Sequence, residues 1–243
     1  MTADDRKGGG EGTIGMTGHR YDLIYFNIYA FAEPIKMLMT HLGLTWHYHM
    51  PWDFFGRNWN IAKPDVAFGE LPVLVVDGDF MLWESAAILR FLADGTALLP
   101  TDAMDRARAD AILDSCKRFV MPVDAVVNIR FGERFETEKA TTLGDLPLML
   151  APFLRELDRL GGPFFLGAAP SVCDFAFFHH LDMMLKLDAA TCDSRPALDR
   201  FHRAMTALPG VGSYLDERPP LTGIGTDPRI EVNGVMTPTM AGR

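Results

Sequence analysis

The sequence predicts a mixed α/β domain joined to an all-helical one, and three observations predict it. Between Tyr21 and Ala93 the apolar pattern runs strand, helix, strand, hairpin, helix. From Ala103 to Ala207 the apolar residues recur at helical spacing. Between the two parts lie Asp94-Gly95, which stops a helix, and a short linker.

The elements follow in order. Residues 1–18 are polar and glycine-rich and are expected to be a disordered tail. Tyr21 to Phe26 alternates and is rich in β-formers, so it is a first strand. Glu33 to Leu42 puts Ile35, Leu38, Met39 and Leu42 on one face, a helix stopped by Gly43. Thr45 to His49 is a second strand. Met50 to Lys63 reads as irregular, yet carries Trp52, Phe54, Phe55 and Trp59, which suits a lid over a site or an anchor into the core. After Leu71-Pro72 comes the apolar run Val73 to Val76. Asp77-Gly78 then suits a tight hairpin turn, which needs φ > 0 at its centre. Phe80 to Leu82 is the return strand. Glu84-Ser85 opens a helix that continues through Ala86, Ile88, Leu89, Phe91 and Leu92.

The domain thus spans 19–95, and 96–102 is the linker. The helical domain, 103–218, begins with a long helical stretch, Ala103 to Phe131, expected to kink at Pro122. Asp145 to Leu160 aligns Leu150, Phe153, Leu154, Leu157 and Leu160 until Gly161-Gly162-Pro163 breaks it. Ser171 to Leu187 is an apolar helix, and Ser171 with Asp174 has capping-box spacing with Asp where Glu or Gln is usual. Arg195 to Ala207 is a last amphipathic helix. Residues 219–243, polar with Pro and Gly, read as a flexible tail that either folds over a site or is idle.

Composition narrows the function. A length of 243 residues suits one or two domains, and 48% hydrophobic residues is ample for a core. A net charge of −9 argues against nucleic acid, which needs phosphate-neutralising Lys and Arg. Cys116, Cys173 and Cys192 are scattered and odd in number, which fits a reducing cytoplasm and no disulfide framework. No metal-ligand spacing joins them, and no 18-residue apolar run reads as a membrane span. The N-terminus lacks the apolar core of a secretory signal. His47 and His49 share a strand face, but no third ligand lies nearby in sequence, so they read as surface or core histidines.

One segment carries chemistry. A cis Leu71-Pro72 bond would leave the N–H and C=O of Leu71 free to pair with an extended peptide. Glu84 and Ser85 stand at a helix N-terminus, where open N–H groups attract a carboxylate. A peptide-like anion fits between the two; so does an ordinary hairpin packed under a helix. Leu71-Pro72, the Asp77-Gly78 hairpin and Glu84-Ser85 together resemble the glutathione transferases. The run Tyr21 to Asn27, YDLIYFN, is similar to their tyrosine-type, sigma-like classes, and the resemblance extends from Tyr21 to about Gly212.

That resemblance implies a thioredoxin-like first domain with a mixed four-stranded sheet, glutathione as cosubstrate and no metal. It implies that Pro72 is cis, that the Leu71 backbone pairs with the cysteinyl unit, and that Glu84 and Ser85 hold the γ-glutamyl carboxylate. Trp59 and Lys63 match the positions that contact the glycyl end. Tyr25 matches the catalytic tyrosine, with Asn27 also in reach of the sulfur. A free thiol has a pKa near 8.5, and a phenol O–H aimed at the sulfur favours the thiolate; a shift of two units is worth ~2.7 kcal/mol. The second substrate, a hydrophobic small molecule, should lie between the domains against Tyr29, Phe31 and the helix around Phe119. A homodimer in the cytoplasm is implied, with a heterodimer as the alternative.

Three positions depart from the pattern. Phe31 stands where an Arg is expected, Glu70 where Lys or Gln is common, and Lys117 or Arg118 where a partner chain's acid meets the γ-glutamyl amine; Asp114 lies one turn earlier. The resemblance implies an enzyme whose glutathione thiolate attacks an aromatic electrophile, by conjugation or ether cleavage. An isomerase using bound glutathione without consuming it, and a non-catalytic binding or assembly subunit, are the alternatives.

Overall fold

The computed structural model describes residues 18–119 and 122–240, with the side chains of Arg118 and Phe119 left out. The expected tail at 1–18 therefore lies almost wholly outside the described residues. The first domain contains β1 (Tyr21–Ile24), α1 (Glu33–His41), β2 (Trp46–His49), two short helices α2 (Pro51–Phe55) and α3 (Trp59–Ala62), β3 (Val73–Val76), β4 (Phe80–Trp83) and α4 (Ser85–Ala93). The strands form one mixed sheet in the order β2-β1-β3-β4, with β1 parallel to β2 and antiparallel to β3. The hairpin turn sits at Asp77-Gly78, at φ 53° and 86°, the left-handed pair that a two-residue turn requires. The segment 50–63, read as irregular, is instead largely helical. Pro51 starts α2, Gly56 at φ 65° ends it, and the Asn58 side chain caps α3 by accepting from Asn60 N–H at 2.9 Å.

The second domain contains α5 (Ala103–Phe119), α6 (Pro122–Ile129), α7 (Gly132–Arg159), α8 (Val172–Leu187), α9 (Pro196–Thr206) and α10 (Val211–Glu217). Asp102, read as linker, caps α5: its carboxylate accepts from the N–H groups of Met104 and Asp105 at 2.9 and 3.0 Å. The long stretch expected from Ala103 to Phe131 is helical over Ala103–Phe119 and Pro122–Ile129, and residues 120 and 121 between them lie outside the described residues. Phe131 ends the helical stretch, extended at φ −149°. The helix expected from Asp145 begins at Gly132 and carries Pro147 and Pro152 within it.

The core centres on α8, which packs against α1, α5, α6 and α9. Phe175, Phe177, Phe178 and Leu181 are fully buried, and Phe177 stacks on Phe153 at 4.6 Å between ring centroids. The predicted capping box opens this helix. Asp174 accepts from Ser171 N–H at 2.7 Å and Ser171 Oγ at 2.8 Å, and also from Phe165 N–H at 3.0 Å.

The segment read as a tail carries structure. Residues 219–240 include a second hairpin, β5 (Arg229–Val232) and β6 (Val235–Pro238), with Asn233-Gly234 at φ 51° and 80° in the turn. Its strands are four residues each, Ile230 alone is buried in them and Val235 and Met236 lie exposed, so they carry little apolar periodicity to read. Among the described residues no helix is long and apolar enough to cross a membrane.

Candidate functional site

At the end of β4 the chain turns through Glu84, at φ 68° and ψ 113°, a conformation that costs a non-glycine residue about 1–3 kcal/mol. The turn starts α4 at Ser85, with no side-chain cap on its first N–H groups. Glu84 and Ser85 line a cavity of about 370 Å³ with Phe31, Pro34, Lys117 and His180. Lys117 Nζ lies 3.2 Å from Glu84 Oε2 and 5.7 Å from the Phe31 ring centroid. Asp114, considered as a substitute acid, is instead paired with Arg90 at 2.9 Å.

The Leu71-Pro72 bond is cis. Among the described residues neither the N–H nor the C=O of Leu71 takes part in a backbone hydrogen bond outside the regular elements. Beside it Lys63 pairs with Glu70 at 3.5 Å, both side chains about half exposed or more. The charge departure at Glu70 is thus matched within the chain. Such an exposed pair is worth roughly 0–1 kcal/mol and is readily displaced. Gly69, at φ 59°, leaves room for this lysine: a Cβ there would stand 2.9 Å from Lys63 Cε. Trp59 is 4% exposed and packs on Phe26 and Phe55, at 6.3 and 6.0 Å between centroids. It serves the core beneath this end.

Tyr25 follows β1 directly, with its N–H donating to His49 O at 3.1 Å and its ring buried beside Phe26. Asn27 donates through Nδ2 to Pro238 O at 2.7 Å, so the second hairpin takes the amide expected near the sulfur. Tyr29 and Phe31, expected in one pocket, line two. Phe31 faces the Glu84–Ser85 cavity, while Tyr29 and Asn27 line another of about 450 Å³ against β2 and the second hairpin. The intervening loop is pinned by Asn128, whose Oδ1 accepts from Tyr29 N–H at 2.9 Å and whose Nδ2 donates to Tyr29 O at 2.7 Å. The Phe119 side chain lies outside the described residues.

A buried cluster escaped the sequence reading. His179 Nε2 and His180 Nδ1, on α8, donate to the two oxygens of Asp124, on α6, at 3.2 and 3.0 Å. The donor atoms lie within 4.8 Å of one another, the convergence a metal ion would need. Each imidazole serves the carboxylate through one nitrogen, and the other nitrogen of His179, Nδ1, is buried with no partner among the described residues. Burial pushes the Asp124 carboxyl up, but attraction to His180 and His179 outweighs it and holds the group at about 2. Adjacent histidines inside an apolar helix were the available signal. His49, one of the two strand histidines, bonds Asp22 at 2.8 Å. Burial pushes the Cys116 and Cys173 thiols well up, away from nucleophilic use.

Residues 21–94 match the family description "Glutathione S-transferase, N-terminal domain", and residues 124–218 match "Glutathione S-transferase, C-terminal domain". The class-mu 26 kDa glutathione S-transferase of Schistosoma japonicum is 30% identical over 201 residues, covering 79% of this chain and 86% of that protein. The chain belongs to the glutathione S-transferase family. Another relative is the hematopoietic prostaglandin D synthase of Gallus gallus, 29% identical over 202 residues, 82% of this chain and 96% of that protein. The solved Pi-class glutathione S-transferase of Onchocerca volvulus superposes with a TM-score of 0.71 at 29% identity, covering 82% of this chain and 93% of that one. Family membership accounts for the four-stranded mixed sheet and the helical domain. The matched C-terminal domain ends at Arg218, so the second hairpin lies beyond it.

Proposed function

We propose that this chain is a glutathione transferase of the tyrosine type, acting on a hydrophobic, aromatic electrophile. The observation that carries the reading is the cavity at the start of α4, where Glu84 and Ser85 meet uncapped helix N–H groups and the Lys117 ammonium. A γ-glutamyl carboxylate suits that charge, and its amine suits Glu84. The tripeptide then runs along the Leu71 backbone toward Lys63, displacing the weak Lys63–Glu70 pair. Tyr25 donates its phenol hydrogen to the sulfur and favours the thiolate. The sulfur lone pair forms the new C–S bond, the leaving group departs with its electron pair, and the thiol proton passes to solvent.

The prostaglandin D synthase among the relatives favours one second reading, an isomerase in which glutathione is regenerated. Consumption of thiol separates the two. The three free cysteines fit a reducing cytoplasm. We read the assembly as a homodimer, because Phe68 is 76% exposed at φ 62° and an apolar groove of about 870 Å³ lies between α5 and α7 on the same chain.

Calorimetry with glutathione and turnover of a generic aryl halide test the enzyme reading. Ser85→Ala should weaken glutathione about tenfold, the worth of one charge-assisted hydrogen bond. Tyr25→Phe should bind it as wild type does, while kcat falls on the order of 100-fold. Equal turnover in wild type and Tyr25→Phe would remove Tyr25 from the mechanism, and absence of glutathione binding would remove the whole reading.

A further inference from the structure

The cluster at Asp124 joins α6 to α8, which pack on each other. His179 and His180 are neighbours in the chain, so on a helix their side chains diverge by about 100°. Asp124 takes one imidazole on each oxygen: His180 Nδ1 on Oδ1 at 3.0 Å and His179 Nε2 on Oδ2 at 3.2 Å. All three residues are buried. Two imidazoles and a carboxylate are ligands that zinc and its first-row neighbours take readily. A tetrahedral ion with bonds of about 2.0–2.2 Å holds its ligand atoms roughly 3.3 Å apart. Both nitrogen–oxygen contacts are near that figure, and the three donor atoms lie within 4.8 Å of one another. Among the described residues no other three His, Cys, Asp or Glu side chains converge in this way.

Hydrogen bonds alone leave the cluster incomplete. With Nε2 of His179 donating to Asp124, its Nδ1 is a buried acceptor that no described residue serves. Nothing therefore fixes the tautomer of that ring. An ion on Nε2 would send the hydrogen to Nδ1 and break no hydrogen bond there. In His180 the hydrogen would pass from Nδ1 to Nε2, while Asp124 stays ionised. A path for an ion also exists. Both histidines line the cavity of about 370 Å³ at the start of α4, which reaches Glu84, Ser85 and Lys117. An entry route of this kind is a requirement that a converged set of ligands must meet before it can load.

We propose that Asp124, His179 and His180 bind one first-row divalent ion, zinc by the chemistry of the donors, with a water from the cavity completing its shell. Three protein ligands leave the fourth position of a tetrahedral ion open. Magnesium and calcium, which take oxygen ligands, do not suit two imidazoles. The metallated His179 would have no acceptor for its Nδ1–H, and a missing outer partner weakens such a site roughly 10- to 100-fold. The affinity is therefore micromolar rather than nanomolar. None of the three residues belongs to the motifs that carry the family resemblance. The site goes beyond the transferase reading and does not depend on it, since no contact to glutathione is used.

The test uses the full chain without a histidine tag and without glutathione, stripped with a chelator and dialysed. Calorimetry with Zn²⁺ should show one ion bound per chain. Co²⁺ should give the intense visible bands of a four-coordinate site, whereas ions held loosely at the surface stay pale. Added Zn²⁺ should bleach those bands. Asp124→Asn and His180→Gln should each weaken Zn²⁺ by at least about 100-fold. His47→Ala, on the strand face that carries the other histidine pair, should leave it unchanged. If neither core variant folds, the cobalt spectrum of wild type decides. Absence of Zn²⁺ binding, a pale cobalt spectrum, or binding that survives in a folded core variant or is lost in His47→Ala would overturn the proposal.

Discussion

Asp124 sits in an environment far from that of a carboxylate in water. It is buried, ionised and shared between two imidazoles on a neighbouring helix. Its folded pKa, about 2, lies below the ordinary 3.8, so its stabilisation is in place above pH 4 and lost as pH falls through 2. The size is about 2 kcal/mol. Asp174 shifts the other way. Burial pushes it up to about 6 against three hydrogen bonds, so its contribution is fully present below pH 4 and flat across that window. Denaturant midpoints should therefore fall between pH 4 and pH 2 in wild type and fall less in Asp124→Asn. An equal fall in both would show that other carboxylates set the acid limit. The adjacent histidines hinted at a buried polar cluster, but a partner in another helix leaves no local spacing that would name Asp124.

Among the elements, α8 was the most legible and 219–240 the least. The apolar run and the Ser171–Asp174 spacing of α8 specify both its burial and its start, and the structure adds Phe165 N–H as a third donor to the same carboxylate. Asp174→Ala would strand the N–H groups of Ser171 and Phe165 in the core. The expected loss is about 2–4 kcal/mol in urea unfolding with the m-value unchanged, as two buried donors lose their acceptor. A loss under 1 kcal/mol would mean that the helix start is held by packing alone. The early part of α7 was harder to see, since between Gly132 and Gly144 only Phe135 is buried and no apolar stripe exists. Its prolines also mimic a boundary.

For the whole molecule, the order of elements and the linker were readable because each is a local pattern. Which side chains share a cavity was not. Tyr29 and Phe31 are two residues apart yet face separate spaces, and the second hairpin that encloses one of those spaces arrives from nearly 200 residues away in the chain. Pairing of two chains is likewise a property of surfaces. If Phe68 enters the α5–α7 groove of a second copy, Phe68→Ser should turn a dimer into a monomer in sedimentation at micromolar concentration. The monomer's melting should hardly change, because the ring is 76% exposed within one chain. An unaltered sedimentation coefficient would place the interface elsewhere. Phe68 also lies against Trp83, at 5.9 Å between ring centroids, while Trp59, the first residue of α3, is buried against Phe26 and Phe55. Trp83 is thus a natural lamp at that station: if two copies meet through Phe68, its fluorescence should change, while the sealed Trp59 supplies the steadier light against which it is judged.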